Sequence, residues 1–206
     1  MELFFAPLSC SLASRIALYE ADIDAGFHQV VLATKRLTTG ENYADLNPKG
    51  QVPALKTPDG SILTEGPAVL QFIADSAPAS HLAPPAGTMA RYRLQQWLNY
   101  LSTEVHKAVF YMIFNPASPP EVKAFARHQL LPVRYQFLSE HLEDQAYLLD
   151  TFTVADAYLF TTLNWAGPAG VDLANWPILD AYRKRLMERP AVARALSEEL
   201  ALRASA

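Results

Sequence analysis

Cys10 is the only cysteine in this 206-residue chain. It stands in Phe5-Ala6-Pro7-Leu8-Ser9-Cys10-Ser11-Leu12, where an apolar run meets the start of a helical pattern. Unpaired amides at a helix N-terminus carry partial positive charge, which stabilises a thiolate and lowers a cysteine pKa. A thiol so placed is either a reactive group or a small buried hydrophobe. As a thiolate it permits thiol–disulfide exchange. With no second cysteine to resolve a mixed disulfide, a dithiol cycle is excluded, as are an internal disulfide and any zinc-type Cys/His spacing. Asn99, Thr103 and His106 recur on one face of a helical stretch, with Lys107 adjacent. Polar residues so spaced opposite an apolar stripe either face water or line a cleft. Glu65, just before Gly66-Pro67, sits at another helix start, where the dipole favours a carboxylate whether or not it binds anything.

These residues have to be positioned by a particular order of elements. Leu3-Phe4-Phe5-Ala6 reads as a buried strand, Ser11–Ala21 as a helix through Leu12, Ile16 and Tyr19, and Phe27–Leu32 as a second strand. Residues 33–50 are polar and interrupted by breakers, which predicts a loop with at most a short helix. Pro58-Asp59-Gly60 between Val52–Lys56 and Ser61–Thr64 predicts a hairpin. Pro67 suits the first position of the helix that follows, with Val69, Leu70, Phe72 and Ile73 as its apolar stripe. The order is β-α-β, loop, β-β-α: a small mixed sheet with helices on it.

Pro and Gly density at 78–87 marks a linker, and everything beyond reads as helix. Leu94, Trp97, Leu98, Leu101, Val105, Val109, Met112 and Ile113 trace one long amphipathic helix. Glu121–Leu142 is a second, and Thr153-Val154-Ala155-Asp156 opens a buried one with a capping box. Half of the residues are hydrophobic and 18% are charged, enough for a sizeable core, and the formal net charge is −4. No basic block is present to replace counterions on nucleic acid. No apolar run approaches the ~20 residues that cross a bilayer. No secretory signal is legible at the N-terminus. The expectation is a cytoplasmic protein bound to neither nucleic acid nor membrane.

Together these segments resemble a cytosolic glutathione transferase over essentially the whole chain. Asn47-Pro48-Lys49-Gly50-Gln51-Val52-Pro53-Ala54-Leu55 is similar to that family's loop leading to a cis-proline, and Glu65-Gly66-Pro67-Ala68-Val69 to its Glu-Ser-x-Ala-Ile segment. Thr153–Asp156 matches the capping motif of its helical domain, and Arg189-Pro190-Ala191-Val192 its C-terminal Arg-Pro-x-Val. Cys10 with His106 resembles the bacterial beta class in particular. The resemblance implies an α+β thioredoxin-like domain (β-α-β-α-β-β-α) over 1–80, a linker over 81–87 and an all-α domain over 88–206.

It further implies conjugation of reduced glutathione to a hydrophobic electrophile, as in detoxification, by a homodimer. Glutathione is then a co-substrate, with no other cofactor and no metal. Cys10 and His106 are the implied catalytic residues, His106 as hydrogen-bond donor or base to the glutathione thiol. Val52, with cis Pro53, pairs with the cysteinyl backbone. Glu65 meets the γ-glutamyl ammonium and the Gly66 amide its carboxylate. Lys35 and Gln51 serve the glycine end; Asn99, Glu104 and Lys107 complete the glutathione set. Phe110, Tyr111, Phe114 and Trp165 form the acceptor pocket, although Trp165 by itself reads first as a core tryptophan. Serine is usual where Gly66 stands, so a hydroxyl donor is missing and weaker glutathione binding is expected. Two other readings follow from the same residues: a glutathione-dependent thiol–disulfide oxidoreductase using Cys10, and a non-catalytic glutathione or ligand binder.

Overall fold

Leu3, Phe4 and Phe5 form an unbroken apolar run because their strand, β1 (Glu2–Phe5), is central and covered on both faces; all three are buried. The computed structural model describes residues 1–204. β1 pairs in parallel with β2 (Gly26–Val31), with Leu3 opposite Phe27, and antiparallel with β4 (Ala54–Lys56), with Leu3 opposite Leu55. A parallel pair needs a crossover, supplied by α1 (Leu12–Glu20). The sheet order is β3-β2-β1-β4-β5, where β3 is Arg36–Leu37 and β5 is Ile62–Thr64. Pro58-Asp59-Gly60 makes the expected hairpin turn: Asp59 Oδ1 accepts the Ser61 amide at 3.1 Å, and Gly60 takes φ 85°, which its missing Cβ permits.

Residues 33–50 hold more order than the sequence suggests. A two-residue β3 extends the sheet beyond β2, and the expected second helix is a single 3-10 turn, Tyr43–Asp45, capped by Asn42. Two residues are too few to show a period-2 pattern, so this strand left no signal. α2 (Gly66–Ser76) buries Val69, Leu70, Ile73 and Ala74.

The chain divides into two units. The first comprises Met1–Ala83 together with the C-terminal stretch from Arg189, which carries α9 (Pro190–Ala204). α1 is buried almost all round because the sheet covers one side and α9 packs on it as well. The expected split placed that last helix in the second domain.

The second unit, Pro84–Glu188, is helical. α3 (Met89–Tyr100) starts at Thr88, whose side chain accepts the Arg91 amide at 3.2 Å. It continues without a break as a π-helix, Leu101–Tyr111, and then α4 (Met112–Phe114). α5 (Pro120–Phe125), a π segment Ala126–Leu130 and α6 (Leu131–Leu142) follow. Every residue of α7 (Val154–Leu163) is buried, and the Thr153/Asp156 capping box at its start is formed. α8 (Pro177–Met187) completes the unit. Among the described residues no helix is long and apolar enough to cross a membrane.

Candidate functional site

In the first unit, Cys10 lies in the turn between β1 and α1, one residue before the helix N-cap, Ser11. The turn is closely tied. Ser11 is buried; its hydroxyl accepts the Ala6 amide at 3.1 Å and lies 2.8 Å from Ser9 Oγ. Leu8 adopts φ 60°, the left-handed region that a branched side chain rarely enters. Its N–H donates to Glu199 Oε2 at 2.7 Å. The Cys10 thiol donates to the Val52 carbonyl at 3.1 Å.

Val52-Pro53 is a cis peptide. The β4–β5 register, Ala54 opposite Thr64, carries on outward toward Val52 and Gly66, bringing the segment before β4 beside the start of α2. Gln51 is fixed from behind: Tyr43 Oη and Asn47 Nδ2 each donate to its carbonyl at 2.8 Å. Lys35 Nζ donates to Gly50 O, also at 2.8 Å. Gly50 has φ 59°, where glycine is favoured, and a Cβ there would lie 3.1 Å from the Lys35 side chain, which would have to shift by a few tenths of an ångström.

Glu65 also has a positive φ, 72°, as do Leu8 and Lys35. Its carboxylate is held by Lys49, Nζ to Oε1 2.5 Å, while the same ammonium donates to Thr64 Oγ1 at 2.8 Å. At Gly66 a built Cβ meets no atom within 4 Å, and φ there is not positive, so larger residues fit. Cys10, Val52, Pro53, Glu65 and Gly66 thus gather along one end of the sheet, with Lys35 and Gln51 joined through the loop before β4.

In the second unit the spacing of Asn99 and His106 does not place them alike. Asn99 and Thr103 are exposed, whereas His106 turns inward. A π-helix spends more residues per turn than the 3.6 of an α-helix, so seven residues across it no longer make two turns. His106 Nδ1 lies 2.8 Å from Tyr158 Oη, and its ring meets Trp165 edge-on at 5.0 Å. Burial, reinforced by the neighbouring Lys107 cation, pulls the imidazole down to about 3, so it is neutral at pH 7. Trp165 also packs against Phe110 (5.4 Å) and Phe114 (6.4 Å), whose rings stack on each other at 5.9 Å. Phe110 is buried and Phe114 is 44% exposed, so this aromatic cluster runs from the core to the surface. Tyr111 is exposed and lies under the Lys107 ammonium, 5.0 Å from the ring centroid. Glu104 is engaged by Arg134, 2.9 Å away.

Lys49, Tyr158, Arg134 and Glu199 were not singled out by sequence reasoning. Only Glu199 left a trace: it follows Val192, Ala195 and Leu196 at helical spacing, a carboxylate in an apolar seam. Among the described residues no three His, Cys, Asp or Glu side chains cluster as a metal site needs.

This geometry has close counterparts. Residues 9–76 match the glutathione S-transferase N-terminal domain model, and 102–190 the C-terminal domain model. Glutathione S-transferase GstA of Escherichia coli O157:H7 is 44% identical over 200 residues, covering 97% of this chain and 98% of the relative. A bacterial beta class glutathione S-transferase from Sphingomonas chungbukensis superposes with a TM-score of 0.93 at 42% identity, over 97% of this chain and 98% of its own. A sphingomonad glutathione S-transferase complexed with glutathione gives the same TM-score, identity and coverage. The chain belongs to the glutathione S-transferase family.

Proposed function

We propose that this protein conjugates reduced glutathione to hydrophobic electrophiles. The observation that supports this most directly is the Val52 segment, flanked by the Cys10 thiol on one side and by the Glu65–Gly66 helix start on the other. A tripeptide laid along it pairs strand-fashion with the Val52 backbone. Its γ-glutamyl ammonium replaces Lys49 at Glu65, and its carboxylate takes the Gly66 amide at the start of α2. Lys35 and Gln51 serve the glycine end. Asn99, Glu104 and Lys107 join the set by family resemblance, Glu104 with Arg134 already beside it.

An unperturbed thiol has a pKa near 8.5, so the enzyme has to favour the glutathione thiolate. His106 suits this as a donor rather than as a base, because a ring held near 3 takes no proton from a thiol at neutral pH. With the Tyr158 hydroxyl donating to Nδ1, the ring proton sits on Nε2, the donor this reading assigns to the thiolate; the thiol proton leaves to water. Cys10 supports the site through Val52 rather than by covalent chemistry. Phe110, Phe114 and Trp165 offer the electrophile an apolar, aromatic surface. Tyr111, under Lys107, borders it at most. The working form is a cytoplasmic homodimer, as in the family.

The test is conjugation to an activated aryl chloride, followed at 1 mM glutathione, beside a calorimetric titration with glutathione alone. Turnover with saturable binding supports the proposal. Saturable binding without turnover for any of several electrophile classes overturns it in favour of a binder.

A further inference from the structure

The turn that carries Cys10 is anchored by a residue far along the chain. Glu199, in α9, is fully buried, and its Oε2 accepts the Leu8 N–H at 2.7 Å. Leu8 holds φ 60° two residues before Cys10, so this bond fixes the point at which the chain changes direction. The other carboxylate oxygen, Oε1, lies 3.1 Å from Arg15 Nε. Arg15 is itself buried, sandwiched between the Phe5 ring at 4.3 Å and the Phe27 ring at 4.1 Å, and bound to Glu198 at 2.9 Å. Val192, Ala195 and Leu196 fill the rest of the seam, where a leucine at 199 matches the packing but leaves the buried Arg15 cation without this carboxylate. What a leucine cannot do is accept the Leu8 amide.

We propose that Glu199 is a positioning residue for the thiol end of the glutathione site. It holds the Leu8 turn, and through it the direction of Cys10 Sγ and of the Ser9–Ser11 hydroxyl pair, while touching neither substrate nor reacting atoms. This rests on the function proposed above, in which the thiol end lies at Cys10. The two ends of glutathione are held by Glu65, Gly66, Lys35 and Gln51, none of which Glu199 touches. Its loss therefore acts on turnover through the Ser9–Ser11 hydroxyl pair and the amides that open α1, with Cys10 as the reporter of the turn's position, and spares glutathione affinity.

The experiment compares Glu199→Leu with Glu199→Gln. Alkylation by iodoacetamide reads Cys10 alone, since the chain has no other thiol. Glu199→Leu is expected to change that rate at least fivefold and to lower kcat about tenfold, with KM for glutathione within twofold. Glu199→Gln keeps an oxygen acceptor for the Leu8 amide and is expected to recover most of both. A folded Glu199→Leu protein with wild-type alkylation and kcat overturns the proposal, as does a Gln variant as impaired as the Leu variant. If Glu199→Leu fails to fold, amide hydrogen exchange of the wild-type protein decides. Exchange at Leu8 slowed at least a hundredfold supports the anchor, and exchange at unprotected rates overturns it. The alkylation and exchange results stand even if no conjugation is detected, so failure of the activity and failure of the anchor are told apart.

Discussion

The Cys10 thiol hydrogen-bonds to the Val52 carbonyl, Sγ to O 3.1 Å, across 42 residues of sequence. The bond needs the protonated thiol, since a thiolate would face the carbonyl lone pairs. It ties the turn before α1 to the segment on which the cysteinyl part of glutathione is proposed to lie. Cys10 in this state is a brace more than a nucleophile.

Cys10→Ala should therefore leave conjugation largely intact and abolish any thiol–disulfide exchange. A lost neutral hydrogen bond costs about 1 kcal/mol of stability. Parallel assays of aryl chloride conjugation and of glutathione-dependent disulfide reduction check this. A variant that loses conjugation more than a hundredfold while remaining folded contradicts it.

Gly66→Ser should tighten glutathione binding. The position has open space and an ordinary φ, so a serine fits without strain and adds a hydroxyl beside the Gly66 amide. A hydrogen bond to a charged group contributes roughly 1.5–3 kcal/mol, which is tenfold or more in Kd. Calorimetry reads the difference directly, and an unchanged Kd refutes it.

His106→Phe should lower kcat/KM for conjugation by roughly tenfold to a hundredfold, the worth of one donor to a charged sulfur. The wild-type profile of kcat against pH should show no ionisation near 6.5 attributable to this ring, which is held near 3. An inflection near 6.5 that disappears in His106→Phe contradicts the neutral-donor role.

Two buried groups give opposing pH dependences of stability. Burial pushes the Glu199 carboxyl from 4.5 to about 7, against the Leu8 amide and Arg15, which favour its charged form, and with Glu198 raising it further. The folded protein keeps this proton where the unfolded chain releases it. Its stabilising contribution is complete below pH 4.5 and is lost as pH rises through 7. His106 falls from 6.5 to about 3, so its contribution is present above pH 6.5 and is lost as pH falls toward 3. Each contribution is on the order of a few kcal/mol. Urea unfolding at pH 5 and pH 7.5 should show Glu199→Gln gaining relative to wild type at the higher pH. The same Glu199→Gln offset at both pH values contradicts the raised carboxyl.

Local chemistry makes much of the fold legible. The apolar run of β1, the Pro58-Asp59-Gly60 turn, Pro67 at the head of α2 and the Thr153/Asp156 box each declare themselves within a few residues. β3 does not, being two residues long. The π winding of Leu101–Tyr111 does not either. Its apolar residues at four-residue spacing read equally as α-helix, and on an α-helix Asn99 and His106 share a face. The supporting contacts are the least legible. Tyr158 reaches His106 across 52 residues, and Glu199 reaches Leu8 across 191. No spacing rule links partners so far apart.

The central claim is that the Val52 segment and the start of α2 form a glutathione site. Titrating the wild-type protein with reduced glutathione, read by calorimetry and by the fluorescence of Trp97, Trp165 and Trp176, tests it most directly. Saturable binding at one site per chain, weakened at least tenfold by Glu65→Ala, is the predicted result. No detectable binding at millimolar glutathione contradicts the account.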